Sequence, residues 1–107
     1  MKLKVYSVHD QAAEAFIQPF FMHNDGLAMR AFSDNVNSRE ENNISKHPEQ
    51  FALFQIGQFD DQKGVIESLQ EPKCLATGLE LRMDTTYTEL EVKEILSEIL
   101  KSVKGAQ

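Results

Sequence analysis

Three histidines are the residues that could make this chain a metal protein. His9, His23 and His47 each lie next to or near a carboxylate or an amide in the sequence. Their spacing matches neither HExxH nor paired Cys and His ligands, the short motifs that bring metal ligands together. His9 and Asp10 are poor co-ligands, because neighbouring residues of a strand point to opposite faces. We therefore predict no metal site, and a metal-dependent enzyme that uses the three histidines is the competing hypothesis.

Nucleophilic catalysis by Cys74 would require an electropositive environment that favours the thiolate. Lys73 is adjacent, but Glu71 lies two residues earlier, so the sequence predicts a small, buried and unreactive cysteine. The chain has no GxSxG turn, and its five glycines lie too far apart to form a phosphate-binding loop. These observations predict no catalytic residue, no cofactor and no enzymatic activity.

The charge balance bears on nucleic-acid binding. The 107 residues include 11 Lys and Arg against 17 Asp and Glu, a formal net charge of -6, and both halves of the chain are negative. Proteins that bind nucleic acid draw much of their affinity from basic side chains that neutralise phosphates. Direct binding of single-stranded DNA is therefore disfavoured by charge and is kept as the alternative function. Its candidate contacts are Lys2, Lys4, Arg30 and Lys46.

The seven Phe and two Tyr fall mostly on predicted strands without basic neighbours. This placement favours burial in a core over stacking on bases. Phe20 and Phe21 are the exception, because consecutive strand residues cannot both face one core. We predict that one of the two is exposed or contacts a partner.

The first half of the chain predicts two extended segments and a helix. Residues 2–9 are rich in β-branched and aromatic residues and predict a strand. Residues 15–22 predict a second extended segment, and Pro19 places it at an edge of the sheet or just before a strand. Apolar residues at helical spacing predict an amphipathic helix over 26–36. The polar residues that follow predict a long loop over 37–50.

The strand pattern resumes after this loop. Residues 51–59 carry apolar side chains on both faces and predict a strand that is at least half buried on each side. Residues 60–64 end in glycine and predict a hairpin turn. A return strand over 65–69 is expected to end before Pro72, and residues 74–82 predict one more strand.

Residues 88–104 carry the clearest helix signal. Thr88 and Glu91 have the spacing of a capping box, and an apolar stripe follows at intervals of three and four residues. The stripe consists of Val92, Ile95, Leu96, Ile99, Leu100 and Val103. Two pairs within it are seven residues apart, so the stripe can form a seam with a second copy. The alternative is that the helix packs on its own sheet. The candidate protein contacts are Phe20, Phe21, Val92, Leu96, Ile99 and Val103.

These elements predict one α+β domain over residues 1–107. We expect a small, mostly antiparallel sheet of four to five strands with two helices, the C-terminal one amphipathic. No apolar run approaches the roughly 18 residues of a membrane span, and residues 1–7 lack the apolar core of a secretory signal. The single cysteine excludes an internal disulfide and a cysteine-based zinc site.

Several short blocks occur in order along the first 60 residues, and a weaker one spans 72–82. They are Met1 to Val8, Asp10, Ala15-Phe16, Gln18 to Phe21, Ala31 to Asp34, Asn37, Lys46 to Pro48, Phe51, Leu53-Phe54 and Gly57 to Asp60. In this order they resemble the small nonstructural protein of gokushoviruses, tail-less single-stranded DNA phages of the Microviridae. The C-terminal helix departs from the pattern of that family.

The resemblance implies a phage protein that is made in the cytoplasm of the infected bacterium and is absent from the virion. It further implies a role in single-stranded DNA synthesis or packaging and no catalytic residue. Because the chain is acidic, we expect it to act through contacts with a phage or host replication or assembly protein. A homo-oligomer formed through the C-terminal helix is a further expectation.

Overall fold

The computed structural model describes residues 2–83 and 96–101. The strands are β1 (Lys2–Asp10), β2 (Ala15–Phe16), β3 (Phe20–Met22), β4 (Phe51–Asp60) and β5 (Val65–Thr77). The helices are α1 (Asp25–Val36), α2 (Asn43–Lys46), a 3₁₀ helix (Pro48–Gln50) and α3 (Gly78–Leu81), and residues 96–101 are also helical. The α+β class is confirmed, although most of the helices are short and there are more of them than the two predicted.

The sheet is antiparallel and is built around β1. This strand pairs with β4 from one end to the other, with Lys2 opposite Asp60 and Asp10 opposite Phe51. The other side of β1 pairs with β2 and β3, the two paired parts of the predicted extended segment 15–22. Strand β5 pairs with β4. It therefore forms one edge of the sheet, and β2 and β3 form the other.

Helix α1 covers one face of the sheet, which we call the helix face. The side chain of Asn24 caps α1 by accepting a hydrogen bond from the Leu27 N–H at 2.9 Å. The predicted helix over 26–36 is thus confirmed, beginning one residue earlier. Seven buried residues of α1, β1 and β4 form an apolar core between the helix and the sheet. They are Tyr6, Val8, Ala28, Phe32, Val36, Phe51 and Leu53.

The predicted hairpin joins β4 to β5. The Asp60 carboxylate accepts hydrogen bonds from the backbone N–H groups of Gln62 at 3.0 Å and Lys63 at 3.2 Å. Gly64 closes the turn with a φ of +68°, a left-handed conformation that glycine adopts without steric cost.

The predicted loop over 37–50 is in part helical, so that prediction is wrong for its second half. Helix α2 begins at a capping box in which the Asn42 side chain accepts from the Ser45 N–H at 2.8 Å, and the Ser45 hydroxyl accepts from the Asn42 N–H at 3.0 Å. The 3₁₀ helix follows, and its Pro48 is buried. Both helices are too short to show an apolar period, which explains why the polar composition indicated a loop.

The predicted end of the return strand before Pro72 is also wrong. Strand β5 continues through Pro72 to Thr77. Proline lacks a backbone N–H, and an edge strand tolerates it where that N–H would face away from its neighbour. The pairing with β4 is irregular here, because Ser68 lies opposite Gly57 and Lys73 opposite Gln55. Residues 69–72 of β5 lie against the single residue Ile56 of β4 in this irregularity.

Residues 74–82 do not form the separate strand that the sequence predicted. Their first half completes β5, and α3 then begins at Gly78. The Thr77 hydroxyl caps α3 by accepting from the Glu80 N–H at 3.1 Å. A side chain at position 78 would collide with the Pro48 carbonyl group, so the chain needs glycine at this position.

The predicted C-terminal helix over 88–104 lies mostly outside the described residues. Residues 96–101, which fall within it, are helical. In the ranges that the structure describes, no helix is both long and apolar enough to cross a membrane.

Candidate functional site

The sheet face opposite α1 carries residues without formal charge. Cross-strand partners point to the same side of a sheet and neighbours along a strand to opposite sides, so the register assigns each position to a face. The positions on this side are Leu3, Val5, Ser7, His9, Phe16, Phe21, Ala52, Phe54, Gly57, Phe59, Ile66, Ser68, Cys74 and Thr77. We call this set the open face, although Val5 and Ser7 within it are buried. None of these paired positions holds Lys, Arg, Asp or Glu.

One end of the open face is an aromatic cluster. The ring of Phe16 on β2 lies 5.4 Å from that of Phe54 on β4 and 4.9 Å from that of His9 on β1, both in edge-to-face geometry. His9 and Phe54 are 6.3 Å apart. Edge-to-face contacts of this kind stabilise aromatic pairs beyond the area they bury. Phe16 is nevertheless 44% exposed, so the cluster presents an aromatic ring to the surroundings.

The other end of the open face carries a second aromatic pair. Phe21 on β3 packs edge-to-face against Phe59 on β4, with ring centroids 5.6 Å apart, and it is 45% exposed. Ile66 on β5 lies directly opposite Phe59 and is 56% exposed. Large apolar side chains thus remain accessible at both ends of the open face, a composition typical of surfaces that bind other proteins.

Phe20 and Phe21 lie on opposite faces, as their adjacent positions in β3 require. The Phe20 ring stacks on Tyr6 with a centroid distance of 5.7 Å and is half buried against the core. Of the predicted contact pair, Phe21 is therefore the residue available to a partner.

The helix face contains the one strongly coupled set of ionisable groups in the described residues. The Tyr6 hydroxyl donates a 2.7 Å hydrogen bond to Asp25 Oδ1, and Lys4 Nζ lies 3.1 Å from the same oxygen. The hydrogen bond from Tyr6 and the nearby ammonium group lower the pKa of Asp25. Burial and the Asp25 carboxylate raise the pKa of Tyr6. This network joins the first residue of α1 to β1, which is a structural role.

The four predicted nucleic-acid contacts lie on three different elements. Lys2 and Lys4 are on β1, Arg30 on α1 and Lys46 on α2. Lys4 pairs with Asp25, and Lys46 Nζ lies 3.5 Å from a carboxylate oxygen of Glu41. Two of the four cations thus already have an anionic partner. Lys2 and Lys4 also point away from the open face, since they alternate with Leu3 and Val5.

The three histidines that could bind a metal belong to three different parts of the fold. His9 belongs to the aromatic cluster of β1, His23 is exposed just before α1, and His47 lies 3.8 Å from Glu49 beside the 3₁₀ helix. Among the residues that the structure describes, no group of three His, Cys, Asp or Glu residues could hold a metal ion.

Cys74 is exposed, so the prediction of a buried cysteine is wrong. It lies on the edge strand β5 opposite Phe54, on the open face. Its position on the edge strand leaves it exposed, whereas Val5 and Ser7, which lie on the same face in the central strand β1, are buried.

The C-terminal candidate contacts are described in part. Leu96 and Ile99 lie on the helical segment 96–101 and are 54% and 53% exposed, and Leu100 beside them is 62% exposed. Val92 and Val103 lie outside the described residues.

Sequence reasoning missed Phe16, Phe54 and Ile66 as parts of a candidate surface. Each falls in a segment whose strand character was predicted, but face assignment depends on the register between strands. That register contains three irregularities, between Val5 and Tyr6, between Leu53 and Phe54, and across residues 69–72. Alternation along a single strand therefore did not show which apolar residues share a face.

Comparison with known proteins places the chain in a family. The family model described as "Phage ORF5 protein" matches residues 3–81, which include helices α1 to α3 and all five strands except Lys2, the first residue of β1. No curated protein and no solved structure matches the chain. Because the matched residues make up well over half of the sequence, the chain belongs to the phage ORF5 protein family.

Proposed function

We propose that this phage protein is a non-enzymatic accessory protein that acts through protein contacts made by its open face. Its place of action is the cytoplasm of the infected bacterium. Its role is in the replication or packaging of a single-stranded DNA genome of the gokushovirus type. The replication or packaging role is supported by the sequence blocks in residues 1–60 that resemble the gokushovirus protein. The use of protein contacts is supported by the composition of the open face.

The observation that carries the proposal is the open face itself. Exposed aromatic and aliphatic side chains at Phe16, Phe21 and Ile66 lie on a surface whose paired positions carry no Lys, Arg, Asp or Glu. Aromatic residues are enriched and charged residues depleted at the centres of protein interfaces. A surface that binds nucleic acid shows the opposite composition, because it must neutralise phosphates.

The test is affinity capture from infected cells with two matched variants. Phe21→Asp places a charge on the open face, and Val65→Asp places the same charge on β5 but on the other side of the sheet. We expect the wild-type protein and Val65→Asp to capture a phage or host replication or capsid-assembly protein, and Phe21→Asp to lose it. Equal capture by all three proteins would show that the open face is not the contact surface. No capture by the wild type would refute the proposal.

Direct binding of single-stranded DNA is the second candidate, and one observation favours it. Phe16 and Phe21 expose aromatic rings on one face, and proteins that bind single strands stack bases on such rings. Its weakness is that two of the four candidate cations, Lys4 and Lys46, pair with carboxylates.

Anisotropy of a labelled single-stranded oligonucleotide, measured at low and at physiological salt, separates the two candidates. We expect no binding at either salt concentration. Binding that weakens steeply with salt and is lost in Lys2→Ala would support the DNA-binding candidate instead.

A further inference from the structure

The pairing of β4 is interrupted at Ile56 against both neighbouring strands. Against β1, the paired positions of β4 pass from Gln55 directly to Gly57, so Ile56 is one extra residue. Against β5, Ile56 lies opposite the four residues 69–72. A bulge breaks the hydrogen-bonded ladder locally and bends its strand. The two interruptions coincide at one residue, and they form a line of weak pairing across β1, β4 and β5.

This line divides the three strands into two parts. The part nearer α1 we call the covered part, and it comprises residues 6–10, 51–55 and 73–77. The part beyond the line we call the arm, and it comprises residues 2–5 and the hairpin 57–68. The covered part carries Phe54 of the aromatic cluster, whereas the arm carries Phe59 and Ile66. The two apolar ends of the open face therefore lie on opposite sides of the line.

The two parts differ in packing. Buried residues of α1 pack on the covered part, which supplies the four sheet residues of the apolar core, Tyr6, Val8, Phe51 and Leu53. In the arm, the buried residues are Val5 and Gly57, both next to the line, whereas residues 61–68 are all exposed. A segment with few buried contacts is displaced at a low cost in free energy.

Within itself the arm is regular. Residues 57–60 lie opposite residues 65–68 without a shift in register, and a closed turn joins them. The two strands approach so closely that a Cβ at Gly57 would lie 2.6 Å from the backbone carbonyl oxygen of Glu67. The arm therefore has the internal pairing of a unit that moves as one body.

The contacts across the line show how the arm is attached. Strand β3 pairs with residues 4–6 of β1 without a shift, so these two strands continue through the line. On the other side of β1, the buried side chain of Gln55 donates from Nε2 to the Gly57 carbonyl oxygen at 3.2 Å and so bridges Ile56. The pairing of β1 with β3 is thus the continuous side, and the extra residues of β4 and β5 can take up a change in length on the other side.

We propose that Ile56 and residues 69–72 form a hinge, about which the arm bends as one body relative to the covered part. The inference rests on the proposed function, because it describes how the open face adapts to the partner that it binds. Bending changes the distance between Phe54 on the covered part and Phe59 on the arm, whose rings contact the exposed Phe16 and Phe21. The open face therefore fits its partner by a rearrangement of its two ends.

Distances between paired spin labels, measured by double electron–electron resonance, test the hinge in the whole chain. In a Cys74→Ser background, the arm pair joins Asp34→Cys on α1 to Gln62→Cys at the tip of the arm. The control pair joins Asp34→Cys to Gln11→Cys, which follows β1 at the end of the covered part. All three labelled positions are exposed, so the labels do not disturb the core.

The expected result is a broad distance distribution for the arm pair. The tip of the arm lies roughly 13 Å beyond Ile56, so a bend of about 20° moves it by roughly 4–5 Å. We expect the distribution of the arm pair to be about twice as wide as that of the control pair. Equal widths would overturn the proposal, because the labels themselves contribute equally to both pairs.

Two variants change the hinge in opposite directions. Deletion of residues 69–72 lets β5 pass Ile56 as β1 does, and we expect the arm pair to narrow to the width of the control pair. Gln55→Met removes the bridging donor at a similar volume, and we expect the arm pair to broaden. The control pair should keep its width in both variants. If the deletion prevents folding, Gln55→Met decides alone, and an arm pair whose width neither variant changes would refute the hinge.

Failure of the hinge and failure of the proposed function give different results, because the spin-label experiment uses the protein without a partner. If the arm and control pairs are equally wide but Phe21→Asp abolishes capture of a phage or host protein, the proposed function stands and the hinge is refuted. If the arm pair is broad but no replication or assembly protein is captured, the hinge stands and the proposed function is refuted.

Discussion

Phe20 and Phe21 are adjacent in β3 but belong to different layers of the protein. The ring of Phe20 stacks on Tyr6 at 5.7 Å in the core under α1, whereas that of Phe21 packs on Phe59 at 5.6 Å on the open face. Because side chains alternate along a strand, Phe20 packs in the core and Phe21 lies on the opposite face of the sheet.

The first prediction follows from this division. Phe20→Ala removes a ring that is half buried against the core, and we expect it to lower the free energy of unfolding by about 2 kcal/mol. Phe21→Ala removes an exposed ring, and we expect a loss of about 1 kcal/mol or less. Urea unfolding of the two variants measures both values. A larger loss for Phe21→Ala would contradict the assignment of the two faces.

The second prediction concerns Asp25 and pH. The hydrogen bond from Tyr6 and the charge of Lys4 lower the pKa of Asp25 in the folded state, so its carboxylate stabilises the fold at pH values above the ordinary value of 3.8. This contribution is lost as the pH falls through the lowered pKa of the folded state. We expect Asp25→Asn to lower the free energy of unfolding by about 1–2 kcal/mol at pH 7, and the difference from wild type to shrink in acid. Urea unfolding at pH 7 and at acid pH measures it.

Asp34→Asn is the control for this experiment. It makes the same change at an exposed position of α1. It should alter stability by less than about 0.5 kcal/mol at either pH. A difference for Asp25→Asn that did not change with pH would rule out the carboxylate as its source.

The third prediction compares two glycines that are needed for different reasons. A Cβ at Gly57 would lie 2.6 Å from the backbone carbonyl oxygen of Glu67, so β4 and β5 would have to separate. A Cβ at Gly64 would meet no atom within 4 Å and would only strain a φ of +68°. We expect Gly57→Ala to cost about 3 kcal/mol and Gly64→Ala about 1 kcal/mol. Thermal unfolding of the two variants tests the order, and the reverse order would count against the close approach of the strands.

The fourth prediction concerns the contact between α1 and the end of α3. The Asn37 side chain donates to the Leu81 carbonyl oxygen at 3.1 Å and accepts from the Met83 N–H at 2.9 Å. We expect Asn37→Ala to lower the free energy of unfolding by about 1–2 kcal/mol. Asn35→Ala removes an exposed side chain that bonds only within α1, and its effect should be smaller. Equal effects in urea unfolding would show that the contact does not stabilise the fold.

The elements that the sequence predicted well are those specified by residues close to one another. The capped helix α1, the strands β1 and β4 and the Asp60–Gly64 turn depend on local periodicity, a side-chain cap and a single glycine. The class and the antiparallel sheet follow from these segments. The helix at 96–101 also agrees with its apolar stripe.

The errors arose where a distant part of the chain decides the structure. Pro72 reads as the end of a strand, but it lies within β5 because β5 is an edge. Gly78 begins α3 in close contact with the Pro48 carbonyl group. No sequence pattern near Gly78 indicates this contact, because Pro48 is distant in the sequence. Cysteine is among the residue types most often buried, but Cys74 lies on the edge strand β5 and is exposed.

By itself, the sequence determined the family resemblance, the acidic charge, the local helices and strands, and the apolar stripe of the C-terminal segment. The tertiary structure alone decided which aromatic residues share a face and which cations are paired. Alternation along a strand has a period of two, so one irregularity in the register moves every later side chain to the other face. The open face exists because strands distant in the sequence align in a register that only the folded sheet defines.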